Sequence, residues 1–547
     1  MNAYQTMRST AADEGSPPAR ATSSGSSLVL GSAFWGWAGP VLIMIFGAFL
    51  RFYRLGKPDA VVFDETYYVP DANSILHHGV ELQHYSYVNN QLVRGDPDIF
   101  LKVHGQLQGE IVAHPPLGKI MMAVGQWMFG LTPFGWRFVV AVLGTVSILM
   151  IARIVRRMTR STMLGCIAGL LMALDGLELV LSRTAILDIF VMFWVLAAFG
   201  FLVIDRDRTI GRLQDAAAGA GPQDLAGPQL GVRWLRIAAG ICLGAACASK
   251  WTGIYFLIAF AGLAIAWDMG ARRAAGYPNW LGGGLRSDAK WLPAWFLAVP
   301  AVVYTASWTG WFATSDGYDR NWAALHGNHT PIWSTLDSWY QYNHWMLQFG
   351  LGLHSFQSYK SNPLGWLALS RPISFYWCAS GTSGCAMPKG QVAEVLAIGT
   401  PVLWWGGTLA LLFCLGWWLT NLVGDLVFNR VPRRDWRAGA VLLGVAAGWL
   451  PWIFFYLHDN RTEFYYYAIA FEPFLVIAIT LCLGLIIGPA RAAPSRRALG
   501  AVGVGGYLLA VLLDLAYIYP ILTAEVIPYS SWLARMWFRT KGGWDWI

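Results

Sequence analysis

Eleven stretches of the chain are almost continuously apolar: 33–52, 136–155, 163–181, 186–204, 237–250, 253–269, 292–310, 397–420, 439–457, 467–488 and 498–518. A helix rising about 1.5 Å per residue needs roughly 17 to 25 residues to cross about 30 Å of hydrocarbon. The pattern therefore predicts an all-α polytopic membrane protein with about eleven crossings. A further run, "LGKIMMAVGQWMFG" from Leu117 to Gly130, is apolar but short, and predicts an interfacial or re-entrant helix. Counting it as a crossing would invert the orientation of everything after it.

Composition agrees. The 547 residues are 56% hydrophobic and only 13% charged, with mean hydropathy +0.44, which excludes a string of soluble domains. A net charge of +8 suggests nucleic acid only if the cations share a face. Here they sit in short clusters between apolar runs, such as "RIVRRMTR", "DRDRTIGR" and "RVPRRDWR", so no nucleic-acid partner is expected. With the N-terminus inside, 22 of the 39 Lys and Arg fall on inner segments, and the positive-inside rule predicts an N-in, C-out chain.

That orientation puts the polar mass outside, in a first loop over 53–135, a second over 311–396 and a C-terminal tail over 519–547. Residues 1–30, rich in Ala, Ser, Gly and Pro, predict a disordered cytoplasmic tail before a membrane domain over 31–547. The first apolar run is too long and too far along the chain for a signal-peptide core, and predicts a retained helix. "QDAAAGAGPQDLAGPQLG" predicts a flexible inner hinge, and most of the 30 tryptophans suit interfacial belts. Of seven cysteines, only Cys378 and Cys385 share a polar outer loop, where an oxidising environment permits a bridge.

The outer segments also carry the candidate chemistry. "VVFDETYYVP" holds adjacent acids, Asp64 and Glu65, which seldom share a helical face, so one can point into a cleft while the other orients its surroundings. Partial desolvation and mutual repulsion would raise a carboxyl toward the range of a useful base, while two solvated loop acids are the plainer reading. "IVAHPPLGKIMM" puts His114 and Lys119 around a Pro-Pro turn, and "PFGWRFVVAV" puts Arg137 at the outer end of a crossing. Arg183 and Asp188 lie at the outer boundary with Glu178, as do Lys250 between two crossings, and His458, Arg461, Glu463 and Tyr465 to Tyr467 in one short loop. Ion pairs, snorkelling and aromatic belts account for each taken singly. Taken together they place carboxylates and cations on one side of a membrane, which suits transfer from a lipid phosphate: the leaving phosphate needs cations, and the attacking hydroxyl needs a base. Neither a Walker loop nor a His- or Cys-rich metal spacing occurs, which leaves a carboxylate-held divalent ion open.

"FDETYY", "HPPLGK", "WRFVVAVLG", "SRTAILD", "SKWTG" and "RTEFYYYAIAFEPF", in that order, resemble the protein O-mannosyltransferases, and among them the bacterial, actinobacterial-type polyprenol-phosphate-mannose–protein mannosyltransferases. The likeness runs from about residue 33 to the C-terminus. It implies a GT-C glycosyltransferase in the cell membrane that moves mannose from polyprenyl phosphate mannose to Ser and Thr hydroxyls of exported proteins, inverting the anomeric centre, with the secretion translocon as a partner and no tightly bound cofactor. Asp64 would be the base and Glu65 would position the acceptor. Arg137, Arg183, Lys250, Arg461 and His458 would face the donor phosphate and sugar, supported by His114, Lys119, Asp188, Tyr465 and Tyr466. The second outer loop is too short for the β-trefoil domain that eukaryotic members carry there. A GT-C enzyme with the same donor and a glycan or lipid acceptor is the rival; a transporter is disfavoured, since the acids lie in outer loops and no repeat is visible.

Overall fold

The computed structural model describes residues 25–547, except 87, 220–224, 355, 383, 429–434, 490, 541–543 and 547. The tail expected over 1–30 lies outside the described residues up to position 24; from Gly25 the chain is already helical. The helices that build the frame are α1 (Gly25–Phe52), α2 (Glu65–His78), α3 (Leu117–Phe129), α4 (Pro133–Thr159), α5 (Thr162–Ala173), α6 (Gly176–Leu181), α7 (Asp188–Gly219) and α8 (Trp234–Ser249). They are followed by α9 (Gly253–Ala274), α10 (Val299–Ser307), α11 (Trp333–Leu351), α12 (Pro401–Phe428), α13 (Trp436–Asp459), α14 (Glu472–Ile487) and α15 (Pro494–Leu522).

Every predicted run is helical over most of its length. Among the described residues, seven helices, α1, α4, α7, α9, α12, α13 and α15, are long and apolar enough to cross a membrane, α5, α8 and α14 are shorter apolar helices, and 292–310 is a π-helical turn leading into α10. Two runs depart from the simple expectation. The run 163–181 breaks at Asp175, which caps α6 by accepting from Glu178 N at 3.0 Å and also accepts from Trp404 Nε1 at 2.7 Å. A carboxylate with such partners ends one helix and starts the next, whatever the hydropathy. The run 186–204 continues as the 32-residue α7, so the first part of the expected hinge is helix.

Local chemistry sets the ends. Thr132 accepts from Gly135 N and places Pro133 at the first turn of α4, and Ser161 accepts from Leu164 N to start α5. The last carbonyls of α1 and its exit are gathered by one guanidinium: Arg183 Nη1 donates to Arg51 O at 2.7 Å and Tyr53 O at 2.8 Å, and Nη2 to Arg54 O at 3.2 Å. α3 lies across the start of α4, and a Cβ on Gly125 would sit 2.3 Å from Gly135 O, so only glycine permits that crossing. Some inner arginines read as topology signals are buried structural groups. Arg233 and Arg236 bridge Asp205 and Asp268, with Arg236 Nη2 to Asp268 Oδ1 at 2.7 Å, joining α7, α8 and α9.

The fold is not purely helical. Between α11 and α12, β1 (Ile373–Ala379) pairs antiparallel with β2 (Gln391–Ala397), and β2 pairs with β3 (Ile527–Pro528) from beyond α15. The aromatic and β-branched content of "ISFYWCA" suits a half-buried strand. Cys378 and Cys385 are joined to each other beside the β1–β2 turn. Loop and C-terminal tail thus form one cap over the ends of α13 and α15.

Candidate active site

A turn from Val62 to Glu65, leading into α2, is the one on which the site is built. Phe63 has φ +50°, a left-handed backbone costly for an aromatic residue, and it persists because its neighbours hold it. Its ring stacks on Phe375 of β1 at 4.6 Å and 9°, with Tyr466 edge-on at 5.7 Å. Asp64 follows at the N-cap of α2 but caps no backbone N–H with its side chain. Its carboxylate faces a cavity instead.

Glu65 turns the other way. It is fully buried, and each carboxylate oxygen is occupied: Oε1 accepts from Arg137 Nε at 2.8 Å and Ala185 N at 3.0 Å, and Oε2 from Arg137 Nη2 at 2.8 Å and Val62 N at 2.9 Å. The bond to Val62 N closes the turn around Phe63 and Asp64. Arg137 gives its remaining N–H groups to Leu55 O, Pro58 O and Ala60 O. This one ion pair ties the turn to α4 and to the loop before α7.

The cavity that Asp64 enters has a volume of about 560 Å³. Tyr68, Asp71, Glu110, His114, Lys119 and Lys250 also line it. Asp64, Tyr68 and Asp71 are spaced by four and three residues and so share one face of α2. Tyr466 Oη donates to Asp64 Oδ2 at 3.3 Å. Burial pushes the Asp64 carboxyl up to about 6, while the Lys250 ammonium pulls it down, Asp188 raises it and the Tyr466 hydroxyl lowers it. Lys250 Nζ is held by both oxygens of Asp188 at 2.9 Å and lies 4.3 Å from the Tyr467 ring centroid. On the opposite wall Lys119 Nζ is 2.6 Å from Glu81 Oε1 and 3.3 Å from Asp71 Oδ2. Burial pushes Asp71 upward and Glu110 up to about 7.

A second, more apolar cavity of about 580 Å³ adjoins the first. His114, Lys250, Phe349, Leu353 and Tyr467 line both. Arg461 belongs to the apolar lobe, with Nε on Gly350 O at 2.7 Å and its guanidinium 5.4 Å from the Trp452 ring. Burial, reinforced by Lys250, Lys119 and Arg461, holds the His114 imidazole well below its usual range, so it is neutral. The result is an acidic lobe and an apolar lobe that meet at Lys250, with Arg461 on the apolar side.

Several expected residues stand elsewhere. Arg137 is 1% exposed with its donors committed to Glu65 and carbonyls, so it cannot take a donor phosphate, and the buried Glu65 cannot touch an acceptor. Arg183 serves the end of α1, and it does not pair with Asp188 or Glu178, which bind Lys250 and Arg51. His458 is exposed and stacks on Phe454 at 4.2 Å, outside both cavities. Tyr465 is buried and accepts from Gly399 N at 3.1 Å. Residues 465–470 form a 3₁₀ turn, in which successive side chains diverge by about 120°, so Tyr466 and Tyr467 reach the cavity and Tyr465 does not. Glu463 is fully buried, and burial pushes its carboxyl up to about 8 while Arg461 and Lys360 pull it down. Sequence reasoning missed Glu110, which lies four residues before His114, and it gave the supporting role in the tyrosine run to Tyr465 and Tyr466 where Tyr466 and Tyr467 line the cavity. Among the described residues, no three His, Cys, Asp or Glu side chains are grouped to hold a metal ion.

Residues 41–307 match the model of the dolichyl-phosphate-mannose-protein mannosyltransferase family, and 335–541 match the C-terminal four-transmembrane region of protein O-mannosyltransferases. Polyprenol-phosphate-mannose–protein mannosyltransferases of Mycolicibacterium smegmatis and Mycobacterium tuberculosis are each 36% identical, the first over 92% of both chains and the second over 92% of this chain and 91% of its own. The Corynebacterium glutamicum protein of the same name is 30% identical over 92% of each. In fold, the chain is similar to the Saccharomyces cerevisiae protein O-mannosyltransferase Pmt1–Pmt2 complex bound to the sugar donor, with a TM-score of 0.68 at 15% identity over 93% of this chain and 92% of that one. Matching models along most of its length and relatives above 30% identity place the chain in the dolichyl-phosphate-mannose–protein mannosyltransferase family.

Proposed function

We propose that this enzyme transfers mannose from a polyprenyl phosphate to Ser or Thr hydroxyls of exported proteins, on the extracytoplasmic face of the cell membrane. The observation that carries the reading is the meeting of Asp64 and Lys250 in one cavity, with an apolar lobe directly behind Lys250. The polyprenyl chain occupies the apolar lobe, its phosphate lies at Lys250 and Arg461, and the acceptor enters the acidic lobe. Asp64 takes the hydroxyl proton as the acceptor oxygen bonds to the anomeric carbon. The bond from that carbon to the phosphate oxygen breaks, and its electron pair leaves on the polyprenyl phosphate. Attack from the side opposite the phosphate inverts the centre in a single displacement.

Two measurements test this on purified enzyme with polyprenyl phosphate mannose and a Ser/Thr peptide. Because Asp64 acts as a base only when ionised and its carboxyl is pushed up to about 6, kcat should rise about tenfold per pH unit below pH 6 and level off above it. The limb should persist in Glu110→Gln; a flat profile between pH 4.5 and 7 would remove Asp64 from the proton transfer. Replacing Lys250 by Gln should lower kcat/KM about 10²-fold, the usual loss when a group stabilising developing negative charge is removed. Since the change strips Asp188 of its partner, the double variant Lys250→Gln/Asp188→Asn separates the effects: it should recover stability and not activity. Transfer of mannose to a glycan with none to peptide would favour the rival acceptor class.

A further inference from the structure

The far end of the helical frame carries a second site of different character. α14 leaves the catalytic cavity beyond Tyr467 and runs away from it to Ile487, and α15 begins there and returns. Between α12 and α15, floored by α14, lies an apolar groove of about 510 Å³. Gly406, Phe413, Leu483, Gly503 and Tyr507 line it, and Arg496 is its single charged residue. From Arg496 to Tyr507 the groove runs about 16 Å along α15. Gly503 lies midway along it, where a Cβ would meet nothing within 4 Å.

Charge decides what fits. Arg496 Nη1 donates to Ile486 O at 2.7 Å, which fixes the guanidinium at the mouth with its other N–H donors in no described contact. Arg491 and Arg497 flank it in the chain, and no Asp or Glu occurs from Pro473 to Leu513. A long apolar slot with the Arg496 guanidinium at one end is complementary to one acyl chain bearing an anionic phosphate head. The mannose donor is the wrong occupant, since its phosphate belongs at Lys250 on the opposite side of the frame.

We propose that this groove binds an anionic phospholipid of the leaflet opposite the catalytic cavity, with one acyl chain between α12 and α15 and its phosphate on Arg496. The full-length protein, stripped of lipid in detergent, is offered phosphatidylglycerol or phosphatidylcholine and examined by native mass spectrometry. One phosphatidylglycerol should be retained with about tenfold preference, because the choline cation of phosphatidylcholine offsets the phosphate charge that Arg496 meets, a difference of about 1 kcal/mol per cationic residue. Arg496→Gln should erase the preference, and Gly503→Phe, which fills open space, should abolish retention of both lipids while mannosyl transfer persists. Equal retention of the two lipids by the native protein would overturn the proposal, as would undiminished retention in Gly503→Phe. Disulfide capture of a second copy through Gly503→Cys would also overturn it, by showing that protein covers the groove.

Discussion

Asp64→Asn is expected to lower mannosyl transfer by about 10³-fold, within the range ascribed to a positioned general base, while leaving the donor bound at least as tightly. Asn keeps the shape of the side chain and an acceptor oxygen for the Tyr466 hydroxyl, so the turn and the cavity are preserved. It loses the ability to take a proton. It also removes a negative charge close enough to Lys250 for the ammonium to lower the acid's pKa. With one fewer anion in the cavity, a donor phosphate at Lys250 meets less repulsion, so KM for the donor should fall or stay level as kcat collapses. That split separates a chemical role from a structural one, because a disordered site would raise KM. Isothermal binding of the donor beside single-turnover kinetics gives both quantities. Asp64→Asn with kcat above a tenth of native would end the base assignment.

Much of this site was legible before the structure because membrane chemistry is restrictive. The apolar runs are helical over most of their length since a chain in lipid must satisfy its own backbone, and a charge beside such a run must find a partner. For that reason Asp64, His114, Lys119, Lys250, Arg461 and Tyr466 all reach the two lobes. What failed was direction. A sequence gives the presence of a guanidinium near a boundary but not whether it faces a cavity or the carbonyls at a helix end, and Arg137 and Arg183 both face inward. The tyrosine run was read as a block, whereas a 3₁₀ turn fans it apart. The β1–β2–β3 sheet escaped notice because one of its strands comes from the far end of the chain.

Breaking the Arg137–Glu65 pair is expected to produce the largest stability loss of any single change at the site. Both side chains are almost wholly buried, and Arg137→Met leaves the Glu65 carboxylate with two backbone N–H donors and no counter-charge. Uncompensated burial of that kind costs about 3–5 kcal/mol. Arg137→Met also frees the carbonyls of Pro58 and Ala60 in the segment leading into the Asp64 turn, so activity should fall with the melting temperature. Glu65→Leu should do comparable damage by leaving the guanidinium unpaired. In the double variant Arg137→Met/Glu65→Leu no charge is left stranded, so the two losses should be strongly non-additive, with part of the stability regained. Activity should not return with it, because the bond from Val62 N to Glu65 that shapes the turn is gone. Thermal unfolding of the four proteins in one detergent, read beside transfer rates, measures the coupling. If Arg137→Met kept the native melting temperature and only raised KM for the donor, Arg137 would be a phosphate ligand after all.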